Sequence, residues 1–261
     1  MIDTIDRELL RLLDLTAAKN SLINDAAKHI LLAPGKRIRP LLTLLTAEML
    51  GGSKEPALTA GCALEMMHTY SLIHDDLPCM DDDDLRRGLP TLHRLYDEAT
   101  AILVGDFLLT YSFEVLSDHT RCSEVQRAAL VTVLARAGGA SGLVGGQLLD
   151  LDSKKRKVDV TLMHCYKTAS LFKAALTMGA IVANAPKALI ESLATLGQEI
   201  GLLFQLVDDI DDQDHPDGEE KAHLLANEKM QSIKLMLKAL EYDTQAVEKL
   251  VHRIYTPYAK V

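Results

Sequence analysis

Apolar residues recur along the chain at helical spacing, with Leu9, Leu12 and Leu13, then Leu41, Leu44 and Leu45, as clear cases of the i, i+3, i+4 pattern. Strict apolar-polar alternation rich in valine, isoleucine and threonine is nearly absent, so strands are not expected. Breaks fall where glycine and proline punctuate the pattern: Ala33-Pro34-Gly35, Gly51-Gly52-Ser53, Gly88-Leu89-Pro90, Gly138-Gly139, Gly145-Gly146, Ala185-Pro186 and His215-Pro216-Asp217-Gly218. The result is an all-α chain of about ten helices. Ala57 to Ile73 and Ile190 to Asp212 are apolar on more than one face, which places both at the centre of a bundle. No linker-like composition or internal repeat divides the 261 residues, so residues 1–261 are expected to form a single domain.

Two aspartate clusters stand out against this pattern: Asp75-Asp76 with Asp81 to Asp84, and Asp208-Asp209 with Asp211-Asp212. Each follows an apolar run, Tyr70 to Ile73 and Leu202 to Val207, so carboxylates are gathered at the ends of core helices rather than in a polar tail. Like charges about 4 Å apart repel by roughly 4 kcal/mol at an effective dielectric near 20, so the clusters require protons, cationic side chains or metal beside them. Magnesium suits them, because it takes oxygen ligands, is commonly held by one or two carboxylates, and completes its shell with water and phosphate oxygens. Asp208 and Asp212 lie four apart on one helix face. Asp75 and Asp81 are separated by Pro78, and a bulge there would return Asp81 to the side of Asp75.

The net charge of −9 is accounted for by these clusters alone, and it argues against a nucleic-acid partner, whose phosphates require clustered lysine and arginine. Two basic groups nevertheless flank the acidic ones: Arg86-Arg87, and Lys36-Arg37-Ile38-Arg39 ahead of Pro40. Arginine forks match phosphate oxygens, and these groups read as anion clamps, except for Arg37, which should point away from Lys36 and Arg39. Carboxylates beside cationic clamps imply a substrate that is anionic and metal-bound, such as a diphosphate. Magnesium dependence follows. No uninterrupted apolar stretch of about 20 residues is apparent, and the polar, acidic start is unlike a signal peptide, so neither stable membrane insertion nor secretion is expected. Cys62, Cys79, Cys122 and Cys165 lack metal-binding or redox spacing and are expected as reduced thiols in a cytoplasmic protein.

Six segments carry a resemblance. They are Pro34 to Pro40, His68 to Gly88, Val104 to Thr110, Gly145-Gly146-Gln147-Leu148-Leu149-Asp150, Tyr166-Lys167-Thr168, and Phe204 to Asp212. In content and order they resemble the all-trans polyprenyl diphosphate synthases, nearest the bacterial farnesyl-forming members. The resemblance implies a bundle around a central cavity, of the isoprenoid synthase type, in a homodimer. It implies a magnesium-dependent prenyltransferase joining isopentenyl diphosphate to dimethylallyl or geranyl diphosphate. Asp75, Asp81 and Asp208 would bind magnesium, and Arg86 would contact the allylic diphosphate. Lys36, Arg39, His68 and Arg87 would hold the isopentenyl diphosphate. Lys167, Thr168 and Gln205 would lie beside the reacting carbons. The departed diphosphate would serve as base, so His74, beside Asp75, is given no catalytic part. Tyr70 and Ser71, one turn before Asp75, would set chain length, with Tyr70 favouring fifteen carbons.

Alternatives are a geranyl or geranylgeranyl diphosphate synthase and a catalytically silent partner subunit; a terpene cyclase would not need the clamp of Lys36, Arg39 and His68. The chain departs from the family after Asp212, where a loop with two lysines is replaced by the shorter, more acidic Gln213 to Glu220. Lys221 and Lys229 are the candidates to substitute. Weaker diphosphate binding or a different closure is expected, with the reaction retained.

Overall fold

The structure is a computed structural model, and it describes residues 1–16, 21–118, 121–212 and 218–255. The break at His215 to Asp217 and the altered segment Gln213 to Asp217 therefore lie outside the described residues. Thirteen α-helices are present among them: α1 (Ile2–Leu15), α2 (Leu22–Leu31), α3 (Ile38–Met49), α4 (Lys54–Asp75), α5 (Leu92–Leu95), α6 (Glu98–Ser117), α7 (Glu124–Gly138), α8 (Leu143–Ser153), α9 (Val160–His164), α10 (Ser170–Val182), α11 (Lys187–Asp211), α12 (Glu219–Ala239) and α13 (Gln245–Tyr255). Two of these, α5 and α9, are single turns, which brings the longer helices close to the expected ten. Two strands of two residues, β1 (Leu85–Arg86) and β2 (Leu89–Pro90), pair as a hairpin.

The periodicity works as read for most elements. In α1, Ile5, Leu9, Leu12 and Leu13 face the core, and α7 opens with a reciprocal cap in which Ser123 and Gln126 satisfy each other's backbone N–H groups. α4 is buried on every face from Pro56 to Met67 and packs against α3, α6 and α10. The second central helix is α10, buried almost throughout. Expectation had placed α11 there. It instead buries one stripe, Leu193, Leu196, Ile200, Leu203, Val207 and Ile210, between α10 and α12, and leaves other stripes to line cavities.

Gly145-Gly146 does not break a helix either. Both lie within α8, and a Cβ on Gly146 would sit 2.1 Å from the backbone nitrogen of Lys167, so the glycine permits two helix backbones to touch. By length and average composition alone α6 and the stretch Glu124–Ser153 could cross a bilayer, although neither is an uninterrupted apolar run. Asp106 and Glu114 interrupt α6 without lowering its average far, and in this fold α6 packs along α4 and stacks Phe107 on Tyr111.

Candidate active site

α4 delivers Glu65, His68, Leu72 and Asp75 to one end of the bundle, where the chain turns at Asp76. The turn is closed by backbone bonds: the Asp81 N–H donates to the Asp75 carbonyl at 2.9 Å, and the Asp82 N–H to the Leu77 carbonyl at 3.1 Å. Asp81 is thereby returned to Asp75 across Pro78. Arg86 anchors the turn with bonds to Asp76 Oδ1 (2.8 and 2.5 Å) and Asp83 Oδ2 (2.7 Å). Arg87 and Gly88 form the hairpin turn, both at positive φ (54° and 78°), the conformation a two-residue hairpin favours. Four non-glycine residues have positive φ among the described residues, and three of them, Arg37, Asp82 and Arg87, are here. A backbone held in a sparsely populated region by its surroundings is a mark of functional geometry.

Lys36, Arg39, His68, Arg86, Arg87 and Asp208 line a single cavity of about 560 Å³, together with Leu72 and Phe204. Arg39 stacks on the ring of Phe172, 4.8 Å from its centroid, and Phe172 packs on Phe204. Three buried nitrogens in this wall, Arg39 Nε, His68 Nδ1 and Arg87 Nη1, have no hydrogen-bond partner in the protein. Burial, opposed by Glu65 and Asp208, brings the Arg39 guanidinium down to about 10, which leaves it charged at neutral pH. Burial, reinforced by Arg39 and Arg87, holds His68 well below its usual range, so its ring is neutral. Arg37 is different. Its donors go to Asp6 (2.7 Å), Glu65 (3.0 Å) and the carbonyls of Leu31 and Ala33, so it ties α1, α4 and the preceding loop together.

The carboxylates face a second wall. Between α9 and α10, Cys165–Ala169 forms a π-helical turn that carries Lys167 and Thr168, and such turns re-aim side chains at functional sites. Lys167 Nζ bonds Asp150 Oδ2 of α8 at 2.5 Å, and Lys154, at the end of α8, bonds Asp81 Oδ1 at 3.2 Å. Thr168 donates to Gln205 Oε1 at 2.6 Å and Gln205 Nε2 to Asp209 Oδ1 at 2.9 Å, which fixes the amide's orientation. Burial pushes Asp75 up to about 7, with Lys167 opposing and Asp81 adding to the rise. Burial likewise lifts Asp208 to about 6, opposed by Lys36 and added to by Asp212.

The structure thus joins Asp75 to Asp81, while Asp208 stands with the cationic cavity. Among the described residues no three Asp, Glu, His or Cys side chains are grouped to cage one ion. That still fits magnesium, which accepts one or two carboxylates and fills its shell from phosphate and water; the destabilised charges of Asp75 and Asp208 are the kind a divalent cation relieves. Tyr70 is buried, edge-on to His74 at 5.6 Å, and Ser71 bonds the His68 carbonyl at 2.8 Å. Gly105 lets His74 lie against α6, because a Cβ there would be 2.1 Å from His74 Nε2. Lys221 is exposed on α12, and Lys229 is bound to Glu199 at 2.7 Å. That pair edges a groove of about 590 Å³ between α9, α11 and α12, on a different stripe of α11 from Asp208.

Several contributors were not singled out from sequence. Glu65 is shared by Arg37 and, at 3.8 Å, by Arg87, and its signal was a lone carboxylate one turn before His68 in an otherwise apolar helix. Asp150 and Gln147, whose amide is buried without a partner, lay inside a quoted motif but had been given no part. Phe172 carried no local signal, and that of Lys154 was the basic run Lys154-Lys155-Arg156-Lys157.

The chain matches the Polyprenyl synthetase family over residues 20–257. It is 48% identical over 187 residues to the farnesyl diphosphate synthase of Bacillus subtilis, covering 70% of this chain and 63% of that protein. It is 47% identical over 194 residues to geranylgeranyl pyrophosphate synthase 7, chloroplastic, of Arabidopsis thaliana, covering 72% and 56%. The matched region is thus under two thirds of the length of both relatives. The crystal structure of an FPP/GFPP synthase from Zymomonas mobilis, in its apo form, superposes with a TM-score of 0.89 at 35% identity over 97% of this chain and 94% of that one. The chain belongs to the polyprenyl synthetase family and has its all-helical isoprenoid synthase fold.

Proposed function

We propose that this protein is a prenyltransferase that joins isopentenyl diphosphate to dimethylallyl or geranyl diphosphate and releases farnesyl diphosphate. The observation that carries the reading is the juxtaposition of two walls: a cationic cavity with partnerless buried nitrogens on Arg39, His68 and Arg87, and a carboxylate turn at Asp75 and Asp81. A diphosphate enters the first as an anion. A second diphosphate is compatible with the carboxylates only through cations, so Asp75, Asp81 and Asp208 are assigned to magnesium, which when bound supplies Lewis acidity toward a leaving diphosphate.

Lys36, Arg39, His68 and Arg87 hold the isopentenyl diphosphate, and Arg86 steadies the carboxylate turn and reaches the allylic diphosphate. The allylic carbon–oxygen bond breaks with its electron pair on the diphosphate. The isopentenyl double bond then attacks the allylic carbon. A proton passes to the departed diphosphate, so no side-chain base is required. Lys167, Thr168 and Gln205 flank the reacting carbons, and the Thr168–Gln205–Asp209 chain fixes the orientation of the amide. The enzyme works as a single domain, as a cytoplasmic homodimer.

Buried Tyr70 supports the fifteen-carbon product, since a ring about one turn below Asp75 would close the path of a chain growing down the bundle. The test is incubation of the purified protein with labelled isopentenyl diphosphate and either primer, with and without magnesium, followed by chromatography of the dephosphorylated products. Magnesium-dependent farnesol is expected, and Tyr70→Ala should lengthen it. Longer alcohols from the unaltered chain would overturn the product and keep the class. No product from either primer would favour the silent-subunit alternative.

A further inference from the structure

Among the described residues, Lys154 is the one lysine bonded to a carboxylate of the Asp75–Asp81 turn. It opens the run Lys154-Lys155-Arg156-Lys157 at the end of α8. Its side chain is 54% exposed and Asp81's 31%, so the bond is made in near-aqueous surroundings and is easily exchanged. Its neighbours are placed differently. Arg156 is committed to Asp152 at 2.5 Å, Lys155 and Lys157 are exposed, and Lys167 is anchored on Asp150, outside the carboxylate turn. Across the site, Lys229 is committed to Glu199.

An ammonium and a divalent cation cannot both occupy Asp81 without repelling each other. Metal uptake at Asp81 must therefore release the Lys154 ammonium. It is then on a flexible four-carbon stem within a few ångströms of wherever a metal-bound phosphate lies, with three donors to offer. We propose that Lys154 is a substrate-binding residue that covers Asp81 in the metal-free protein and passes to the allylic diphosphate when Asp81 takes metal. This assignment rests on the prenyltransferase reading for the identity of the diphosphate, but the exchange itself does not. It gives the site a further cation, from the end of α8.

The test uses the full chain, with Mn2+ as the metal probe and inorganic pyrophosphate as the anion probe. Lys154→Gln should bind Mn2+ about five-fold more tightly without pyrophosphate, because a competing charge in watery surroundings is gone. The same variant should bind pyrophosphate in the presence of Mn2+ about ten-fold more weakly, having lost one charge-assisted hydrogen bond. In turnover, KM for the allylic substrate should rise and KM for isopentenyl diphosphate should not. Lys154→Arg should recover pyrophosphate binding, and Lys155→Gln should change neither property. Opposite signs for metal and anion are the signature of exchange. No change in either, or a parallel weakening of both, would overturn the proposal. If the unaltered protein formed no prenyl product, the reaction assignment would fall while the two binding titrations still decided the role of Lys154.

Discussion

The two walls of the site solve opposite electrostatic problems. On the cationic wall, Arg39, His68 and Arg87 are fixed by packing, with Arg39 on the Phe172 ring and Arg87 in a left-handed turn, and each keeps a buried nitrogen without a protein partner. On the carboxylate wall nearly every charge already has one: Asp81 has Lys154, Asp150 has Lys167, Asp76 has Arg86. The first wall is preorganised, with donors left over. The second is neutralised internally and must exchange partners before it can act. Reorganisation is therefore concentrated on one side, where burial raises the pKa of Asp75, as it does that of Asp208 beside the cationic cavity.

The sharpest way to break this contrast is to remove those two charges. Asp75→Asn and Asp208→Asn are each expected to lower kcat by roughly 10^3-fold, the scale of losing one electrostatic stabiliser at the reacting centre. Steady-state rates at saturating magnesium would measure this. A loss under ten-fold in either variant would mean that the carboxylate wall is only a solvated helix end.

Truncation on the cationic wall should be milder and should fall on binding. Arg39→Ala and Arg87→Ala are expected to raise KM for isopentenyl diphosphate by about 10- to 100-fold, one or two charge-assisted hydrogen bonds each. Arg39→Lys should not rescue, because an ammonium neither reproduces the fork nor stacks on Phe172 in the same way. Equal rises in KM for both substrates would show that the walls are not separate sites.

Much of this was readable from the chain because its physics is local. The apolar period marked the helices, and aspartates behind buried runs marked the carboxylate wall. The return of Asp81 across Pro78 also followed from local chemistry, since a proline at that place leaves few ways to close the turn. What was not readable depends on contacts far apart in sequence. Gly146 looks like a helix breaker until the backbone of Lys167 is found against it. Arg37 could be set apart from Arg39 by its direction, but the distant partners that hold it, Asp6 and Glu65, could not be named. α11 was misplaced for the same reason: Leu202 and Leu206 are as apolar as its core stripe, but they line a groove.

The electrostatic contrast also predicts a stability signature. Asp75 and Asp208 have folded pKa values raised to about 7 and about 6 from an ordinary 3.8. The folded state therefore binds more protons than the unfolded chain between those limits, and the stability this gives is complete below 3.8 and lost as pH rises through 6 and then 7. The metal-free protein should lose melting temperature across that window. Magnesium should restore it above pH 7 and do little near pH 4, where the carboxyls are protonated. Thermal melts at matched ionic strength would check this, and a magnesium effect independent of pH would place the ion elsewhere.

The smallest expected effect concerns Lys229, one of the two sequence-based candidates, with Lys221, for the missing loop lysine. Its ammonium is bonded to Glu199, nine residues before Asp208 on α11, which is about 13 Å along a helix at 1.5 Å per residue. A lysine held there braces α12 against α11 and edges the groove rather than the diphosphate site. Lys229→Ala should cost no more than about 1 kcal/mol of stability, as partly exposed ion pairs do, and should leave both KM values within about two-fold. Comparing it with Lys154→Gln in the same assay separates a bracing lysine from a substrate-binding one. A large rise in allylic KM for Lys229→Ala, with none for Lys154→Gln, would mean that α12 swings over the carboxylates during turnover, and would move the exchanging partner from α8 to α12.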